Sequence, residues 1–277
     1  MKHTPYLVSM SIKPFVKWSG SKRSQAKEIT SYFPKKINTF YEPFLGSGAI
    51  LGHLKPKRAI GSDINAPLIA LWNLLKNNPN KIASDYRNKW STLQKEGHTF
   101  YYKIRNKFNN GKSPLDLLFL TRTCVNGLIR YNKNGEFNNS LHYTRKGIDP
   151  DRLKNILVEW SGIIKPHTFL CQSYETTTQN AKPGDFVYLD PPYFNTGSRY
   201  FGAINYTKFI NYLEGLNKMG VKFALSYDGT RGEKSYVVEI PKQLYKRQIM
   251  IHSGNSTFNK VQNGKTEKVY ESLYLNY

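Results

Sequence analysis

The chain has 277 residues, with Lys+Arg 41 against Asp+Glu 19 and a formal net charge of +22. No apolar run of about 18 residues exists, so a membrane span is not expected, and 39% hydrophobic residues can furnish a buried core. Cys124 and Cys171 are widely spaced, and His53, His98, His142, His167 and His252 show no metal spacing, which argues against a disulfide framework or a metal site.

The basic excess, with 15 Phe, 4 Trp and 20 Tyr, points to a polyanionic partner, nucleic acid first. Lys and Arg neutralise phosphates, and aromatic rings offer surfaces to unstacked bases. An AT-rich coding sequence would enrich some of the same residues, so composition alone leaves both readings open. Met1 to Met10 lacks the charged-then-apolar order of a secretory leader, and the chain reads as a cytoplasmic protein.

In chain order, short apolar runs bounded by turn residues predict strands at Thr39 to Glu42, Arg58 to Asp63, Thr168 to Gln172, Phe186 to Asp190 and Lys222 to Tyr227. Helical spacing at Ala66 to Lys76 and Thr207 to Lys218 falls between strands, and this alternation predicts a mostly parallel α/β sheet. Arg247 to Ser253 and Lys268 to Tyr277 predict a closing antiparallel hairpin around a basic Gly/Asn/Lys loop. From Asn77 to Glu159 the rhythm gives way to polar helical stretches and a turn-rich segment. Residues 77–159 are therefore read as an inserted, mainly helical lobe, and 1–76 with 160–277 as the main domain.

Two segments carry chemistry. Tyr41-Glu-Pro-Phe-Leu-Gly-Ser-Gly follows the first strand, and glycines at such a turn let backbone approach a ligand, although a plain tight turn would also explain Gly46 and Gly48. Asp63 ends the next strand, where an acid accepts hydrogen bonds from ribose hydroxyls; its other reading is a helix cap. Together they suggest a nucleoside-containing cofactor without saying which. The second segment, Asp185-Phe-Val-Tyr-Leu-Asp-Pro-Pro-Tyr, ends a strand in Asp190-Pro191-Pro192-Tyr193. The prolines stop the strand and hold the Asp190 carboxylate and the Pro191 carbonyl at its C-terminal edge, a pair of acceptors suited to an exocyclic amine, with Tyr193 placed to stack on a flat base.

At these residues the sequence resembles the Dam-type (D12 class) DNA adenine-N6 methyltransferases, including modification enzymes of the GATC and EcoRV systems. The resemblance spans nearly the whole chain. Pro14-Phe-Val-Lys-Trp-Ser-Gly-Ser-Lys resembles the family's opening motif, which implies that Trp18 and Lys22 contact S-adenosylmethionine. Glu42, Phe44, Gly46 and Gly48 fall on its cofactor loop, Asp63 and Ile64 on its ribose site, and Ser173 and Tyr174 beside the cofactor adenine. Asp190, Pro191 and Tyr193 fall on its catalytic motif. A Rossmann-like methyltransferase sheet follows, with the inserted lobe as a target-recognition domain.

Arg122-Thr-Cys-Val-Asn-Gly-Leu-Ile-Arg-Tyr-Asn resembles the family's DNA-entering hairpin. The match implies that Arg130 reads guanine, that Leu128 is an apolar wedge, and that Asn126 and Asn132 contact DNA; Lys17, beside Trp18, either touches DNA or is a solvated surface lysine. Val125 and the segment Ser226-Tyr-Asp-Gly-Thr-Arg-Gly depart from the GATC enzymes and leave the target sequence open. The expected activity is methyl transfer from S-adenosylmethionine to adenine N6 in double-stranded DNA by a monomer, as the modification component of a restriction–modification system whose endonuclease acts separately. An RNA substrate, a DNA-binding module with a degenerate pocket and a nicotinamide oxidoreductase are the rival readings; cytosine-N4 transfer uses the same amine logic, and the family's motif order, with the inserted lobe before the catalytic motif, favours adenine. Cytosine carbon-5 transfer needs a cysteine nucleophile, and Cys124 lies in the inserted lobe and Cys171 in a strand that looks buried.

Overall fold

A computed structural model describes residues 12–192, 204–231, 234–235, 239–255 and 268–277. The strands are β1 (Phe40–Glu42), β2 (Ala59–Asp63), β3 (Thr168–Cys171), β4 (Phe186–Leu189), β5 (Lys222–Arg231), β6 (Lys234–Ser235), β7 (Arg247–Asn255) and β8 (Lys268–Leu275). The helices are α1 (Ala26–Ser31), α2 (Ala49–Leu54), α3 (Ala66–Asn77), α4 (Pro79–Glu96), α5 (His98–Gly111), α6 (Pro114–Thr123), α7 (Pro150–Ile164), α8 (Tyr174–Thr178) and α9 (Tyr206–Lys218).

One sheet runs β3-β2-β1-β4-β5-β8-β7, with β6 paired to the far end of β5. The first five strands pair in parallel, and β8 lies antiparallel between β5 and β7. This is a Rossmann-like sheet with the expected closing antiparallel hairpin. From β1 the chain builds outward through β2 and β3, then returns to start β4 on the other flank. The switch point between β1 and β4 opens a crevice at the strands' C-terminal ends, where open α/β sheets bind ligands.

β5 continues past the expected Tyr227 to Arg231 because β8 keeps pairing with it. Its register breaks there: Tyr227 pairs with Ser272 and Gly229 with Glu271, leaving residue 228 bulged. Cys171, expected to be buried, is exposed at the end of β3, an outer strand of the sheet.

Residues 77–159 hold α4, α5, α6 and most of α7, and an antiparallel hairpin between Cys124 and Leu141 follows α6. Residue 159 lies inside α7, which packs on both α3 and α4. Trp72 of α3 meets Phe15 and Trp160 edge-on at centroid distances of 4.6 and 5.2 Å. One apolar core thus runs from the sheet's covering helices into α6 and α7. Among the described residues no helix is long and apolar enough to cross a membrane, and no His/Cys/Asp/Glu cluster is arranged to hold a metal.

Candidate active site

A cavity of about 370 Å³ sits over the ends of β1, β2 and β4, within the range of roughly 300–1,000 Å³ typical of small-molecule clefts. The turn from β1 into α2 forms one wall. Gly46 has φ +46°, and a Cβ there would stand 2.7 Å from Trp18 Cδ1, so the turn needs glycine for both conformation and space. Trp72 Nε1 donates to the Gly46 carbonyl at 3.1 Å.

Asp63 locks the turn to the next strand. Its carboxylate accepts from Gly46 N–H at 3.2 Å and Asn65 N–H at 2.9 Å. Burial pushes the carboxyl up to about 6 against those hydrogen bonds. The cap of α3 is Asn65, whose side chain accepts from Leu68 N–H at 3.0 Å, so the helix-cap reading of Asp63 does not hold. Gly48 lies outside the cavity lining and faces Trp72, whose Cη2 would stand 2.7 Å from an added Cβ. Its place is in packing the turn.

Two carboxylates form the floor. Glu42 is buried at the end of β1, where Oε2 accepts from Leu51 N–H in α2 at 3.0 Å; burial raises its carboxyl well above the usual range. Asp190 follows β4 by one residue, because the two prolines offer no N–H to a neighbouring strand. Its Oδ1 lies 2.8 Å from Lys22 Nζ. Burial pushes the Asp190 carboxyl up to about 6, the Lys22 ammonium opposes the rise, and the Glu271 carboxylate adds to it. Pro191 and Pro192 continue the wall. Tyr193 lies outside the described residues, as do residues 256–267 of the basic loop.

Opposite stands an aromatic wall. Phe44 and Tyr174 stack at 5.3 Å between centroids with planes 29° apart. Ser173 caps α8 by accepting from Thr176 N–H at 3.2 Å, and Ile64, 48% exposed, borders the opening. The cavity thus gathers Trp18, Lys22, Glu42, Phe44, Gly46, Asp63, Ile64, Ser173, Tyr174, Asp190 and Pro191. It also recruits residues the sequence reading did not single out. Ile129 and Tyr131 reach in from the hairpin, Tyr131 accepting from Asn65 Nδ2 at 3.4 Å, and Ser21 and Ser47 join the opening segment to the glycine turn at 2.8 Å.

The opening segment also ties the hairpin to the cleft. Arg122, buried at the end of α6, donates from Nε to the Phe15 carbonyl at 2.7 Å and bonds the Pro14 carbonyl as well. Ser19 Oγ accepts from Ile129 N–H at 3.1 Å. Gly127, at φ +65°, lets the Lys17 stem pass so closely that an added Cβ would stand 2.4 Å from Lys17 Cδ. Lys17, Asn126 and Leu128 line a second cavity that shares Trp18, Ser19 and Ser21 with the first.

Arg130 is exposed, and Asn138 Oδ1 steadies its guanidinium at 2.9 Å from Nε. Asn132 behaves differently. Its Oδ1 accepts from Asn134 and Glu136 N–H at 2.9 and 3.0 Å, and its Nδ2 donates to Glu136 Oε2 at 2.8 Å. These bonds close the hairpin turn. Neither described cysteine lines the cleft: Cys124 is buried with its thiol pushed up to about 11, and Cys171 is exposed at the end of β3.

Comparison with known proteins agrees with this geometry. The chain is 32% identical over 306 residues to the Type II methyltransferase M.MjaIII of Methanocaldococcus jannaschii, an alignment covering 97% of this chain and 100% of that one. It is 29% identical to a DNA adenine methylase of Haemophilus influenzae, covering 95% and 88%. Modification methylase StsI of Streptococcus sanguinis is 28% identical, covering 96% of this chain and 43% of that longer protein. Residues 18–258 match the family described as D12 class N6 adenine-specific DNA methyltransferase, a span that takes in the glycine turn, the hairpin and Asp190, and the chain belongs to that family.

Proposed function

We propose that the protein methylates adenine N6 at a short duplex DNA sequence with S-adenosylmethionine as donor, acting as a monomer in the cytoplasm. The observation that carries this reading is Asp190, fixed by Lys22 at the end of β4 in the same cavity as the Asp63-anchored glycine turn. The residues present suit the cofactor. Asp63 is a half-buried carboxylate for the ribose hydroxyls, Phe44 and Tyr174 offer flat faces beside Ser173 for the adenine, and Asp190 supplies negative charge for a cationic ligand, with Glu42 as a buried polar group beside it. Trp18 and Ile64 close the sides.

When bound, the cofactor supplies an electrophilic methyl group, whose C–S bond breaks as a C–N bond forms and leaves a neutral thioether. A duplex hides its bases, so the target adenine must be flipped out at a cost of a few kcal/mol. Asp190 and the Pro191 carbonyl then receive the two amine hydrogens and aim the N6 lone pair, and Tyr193 stacks on the base. As N6 acquires positive charge, the fixed Asp190 carboxylate stabilises it. A preorganised charge in a water-poor site contributes more than it would in solvent. An N6 proton leaves to solvent during or after transfer, and because the methyl passes directly to nitrogen no covalent enzyme intermediate is required.

On the hairpin, Arg130 reads one guanine through O6 and N7, Leu128 wedges into the duplex, and Lys17 and Asn126 meet the strand beside it, while Asn132 shapes the turn. We assign the enzyme to the modification half of a restriction–modification pair, with a separate endonuclease. The test is methyl transfer from labelled S-adenosylmethionine to unmethylated genomic DNA, with modified bases located by single-molecule sequencing. N6-methyladenine within one short motif is expected. Modification of RNA alone would overturn the duplex assignment.

A further inference from the structure

Glu271 lies on the last strand, 246 residues away in sequence from Gln25, and faces the same ammonium that holds Asp190. Residues of β8 alternate between two faces. Leu273 and Leu275, fully buried, share the face of Glu271, so a carboxylate occupies a position where the pattern calls for an apolar side chain. The residue is only 6% exposed. Its Oε1 lies 2.7 Å from Lys22 Nζ and its Oε2 accepts from Gln25 Nε2 at 3.1 Å. The β5 bulge falls opposite it, where Gly229 pairs with Glu271 and the ladder resumes. Bulges re-aim side chains and gather beside active sites.

A buried ion pair adds little stability over a well-packed apolar pair, because desolvation offsets the Coulombic gain. Gain in stability therefore does not explain an acid at this position. Its position relative to Lys22 does. With Asp190 and Glu271 both on one ammonium, the three groups sum to one negative charge. Without Glu271, the Lys22 ammonium would neutralise Asp190 beside a site that takes a cationic ligand.

We propose that Glu271 is a positioning residue for methyl transfer: it holds and neutralises Lys22, so that Asp190 presents a fixed, uncompensated carboxylate to the amine. The inference rests on the methyltransferase reading given above. Asp190 is faced by Lys22 from the opening segment, Glu42 from β1, Tyr188 from β4 and Glu271 from β8, so a change at Glu271 is read against three other groups that stay in place.

The test uses full-length protein with Glu271→Gln, which is near-isosteric, and Glu271→Asp, which keeps the charge. Two readouts are taken: single-turnover methyl transfer to unmethylated genomic DNA, and carbon NMR titration of the Asp190 carboxyl in the ligand-free protein. The Gln variant is expected to slow transfer by about 10- to 100-fold, with affinities for DNA and S-adenosylmethionine little changed. Its Asp190 titration midpoint moves to lower pH, because a neighbouring negative charge has gone. The Asp variant recovers part of the rate and keeps the midpoint near that of the parent. An unmoved Asp190 midpoint in the Gln variant overturns the proposal, whether the rate is retained or falls together with the melting temperature. The titration needs no substrate, so inactivity of the parent protein on DNA would count against the methyltransferase reading while the link from Glu271 to Asp190 is still decided.

Discussion

The cleft and the hairpin are built on opposite plans. In the cleft the polar groups are buried or half-buried and each is held: Asp63 by two backbone N–H groups, Glu42 by one, Asp190 by Lys22. On the hairpin Leu128 is 50% exposed and Arg130 reaches into solvent with only Asn138 to steady it. The contrast separates two physical tasks. Chemistry needs charges fixed before the substrate arrives, so the reorganisation is met in folding. Reading DNA needs groups left incompletely satisfied until a base or phosphate completes them, so the hairpin keeps an apolar side chain exposed and a cation steadied only by a neutral asparagine. Lys17 joins the two plans, its stem packed on Gly127 and its neighbour Trp18 in the cleft.

The largest break in this comparison is expected from Asp190→Ala. Removing the charge should lower single-turnover methylation by on the order of 10²–10³, while a gel-shift assay shows DNA binding retained through the hairpin. Substantial residual turnover would refute the orienting and electrostatic role of Asp190. The same carboxylate sets a pH limit. With Asp190 at about 6, kcat/KM should fall as pH drops below that value, since the protonated acid no longer accepts both charge and hydrogen bond.

Stability should run the other way. Asp63 stands at about 6 in the fold against 3.8 in the unfolded chain, so the folded state holds the proton more tightly. Its stabilising share is present below pH 3.8 and is lost as pH rises through 6, an effect of about 3 kcal/mol. Asp63→Asn removes that dependence, so the difference in unfolding free energy between variant and parent should shift in the variant's favour between pH 4 and 6. A flat difference in urea titrations across that window would mean that Asp63 is not strained by its burial.

What the sequence made legible follows from the same division. Asp63 and Asp190 each end an apolar run, and a strand's C-terminal end in a parallel sheet is where ligands bind, so pattern alone placed them together, while Glu42 came from the family resemblance. The family resemblance added Lys22 and the hairpin. Contacts between distant segments were not legible. Glu271 is visible in sequence as an acid within a strand pattern, yet only the antiparallel return of β8 beside β5 brings it to Lys22. The assignment of Asn65 rather than Asp63 as helix cap depends on which side chain reaches Leu68 N–H, and both residue types cap well. Gly48 and Asn132 matched a motif by position, but Trp72 in one case and the turn's own N–H groups in the other occupy them.

The hairpin predictions are smaller. Arg130→Ala should cost about 1–3 kcal/mol of discrimination at one guanine, seen as relaxed sequence preference in the methylated-base map. An unchanged preference with a reduced salt dependence would reassign Arg130 to phosphate. Leu128→Ala should have the least effect on the protein itself. A half-exposed side chain gives up little burial, so the change in unfolding free energy should stay within about 0.5 kcal/mol. Its effect belongs to the complex: without the wedge, the vacated stack closes again, and fluorescence of 2-aminopurine at the target adenine should fall relative to the parent complex. Equal fluorescence would assign base extrusion to the cleft alone, and the two regions would then divide reading from flipping as well as from chemistry.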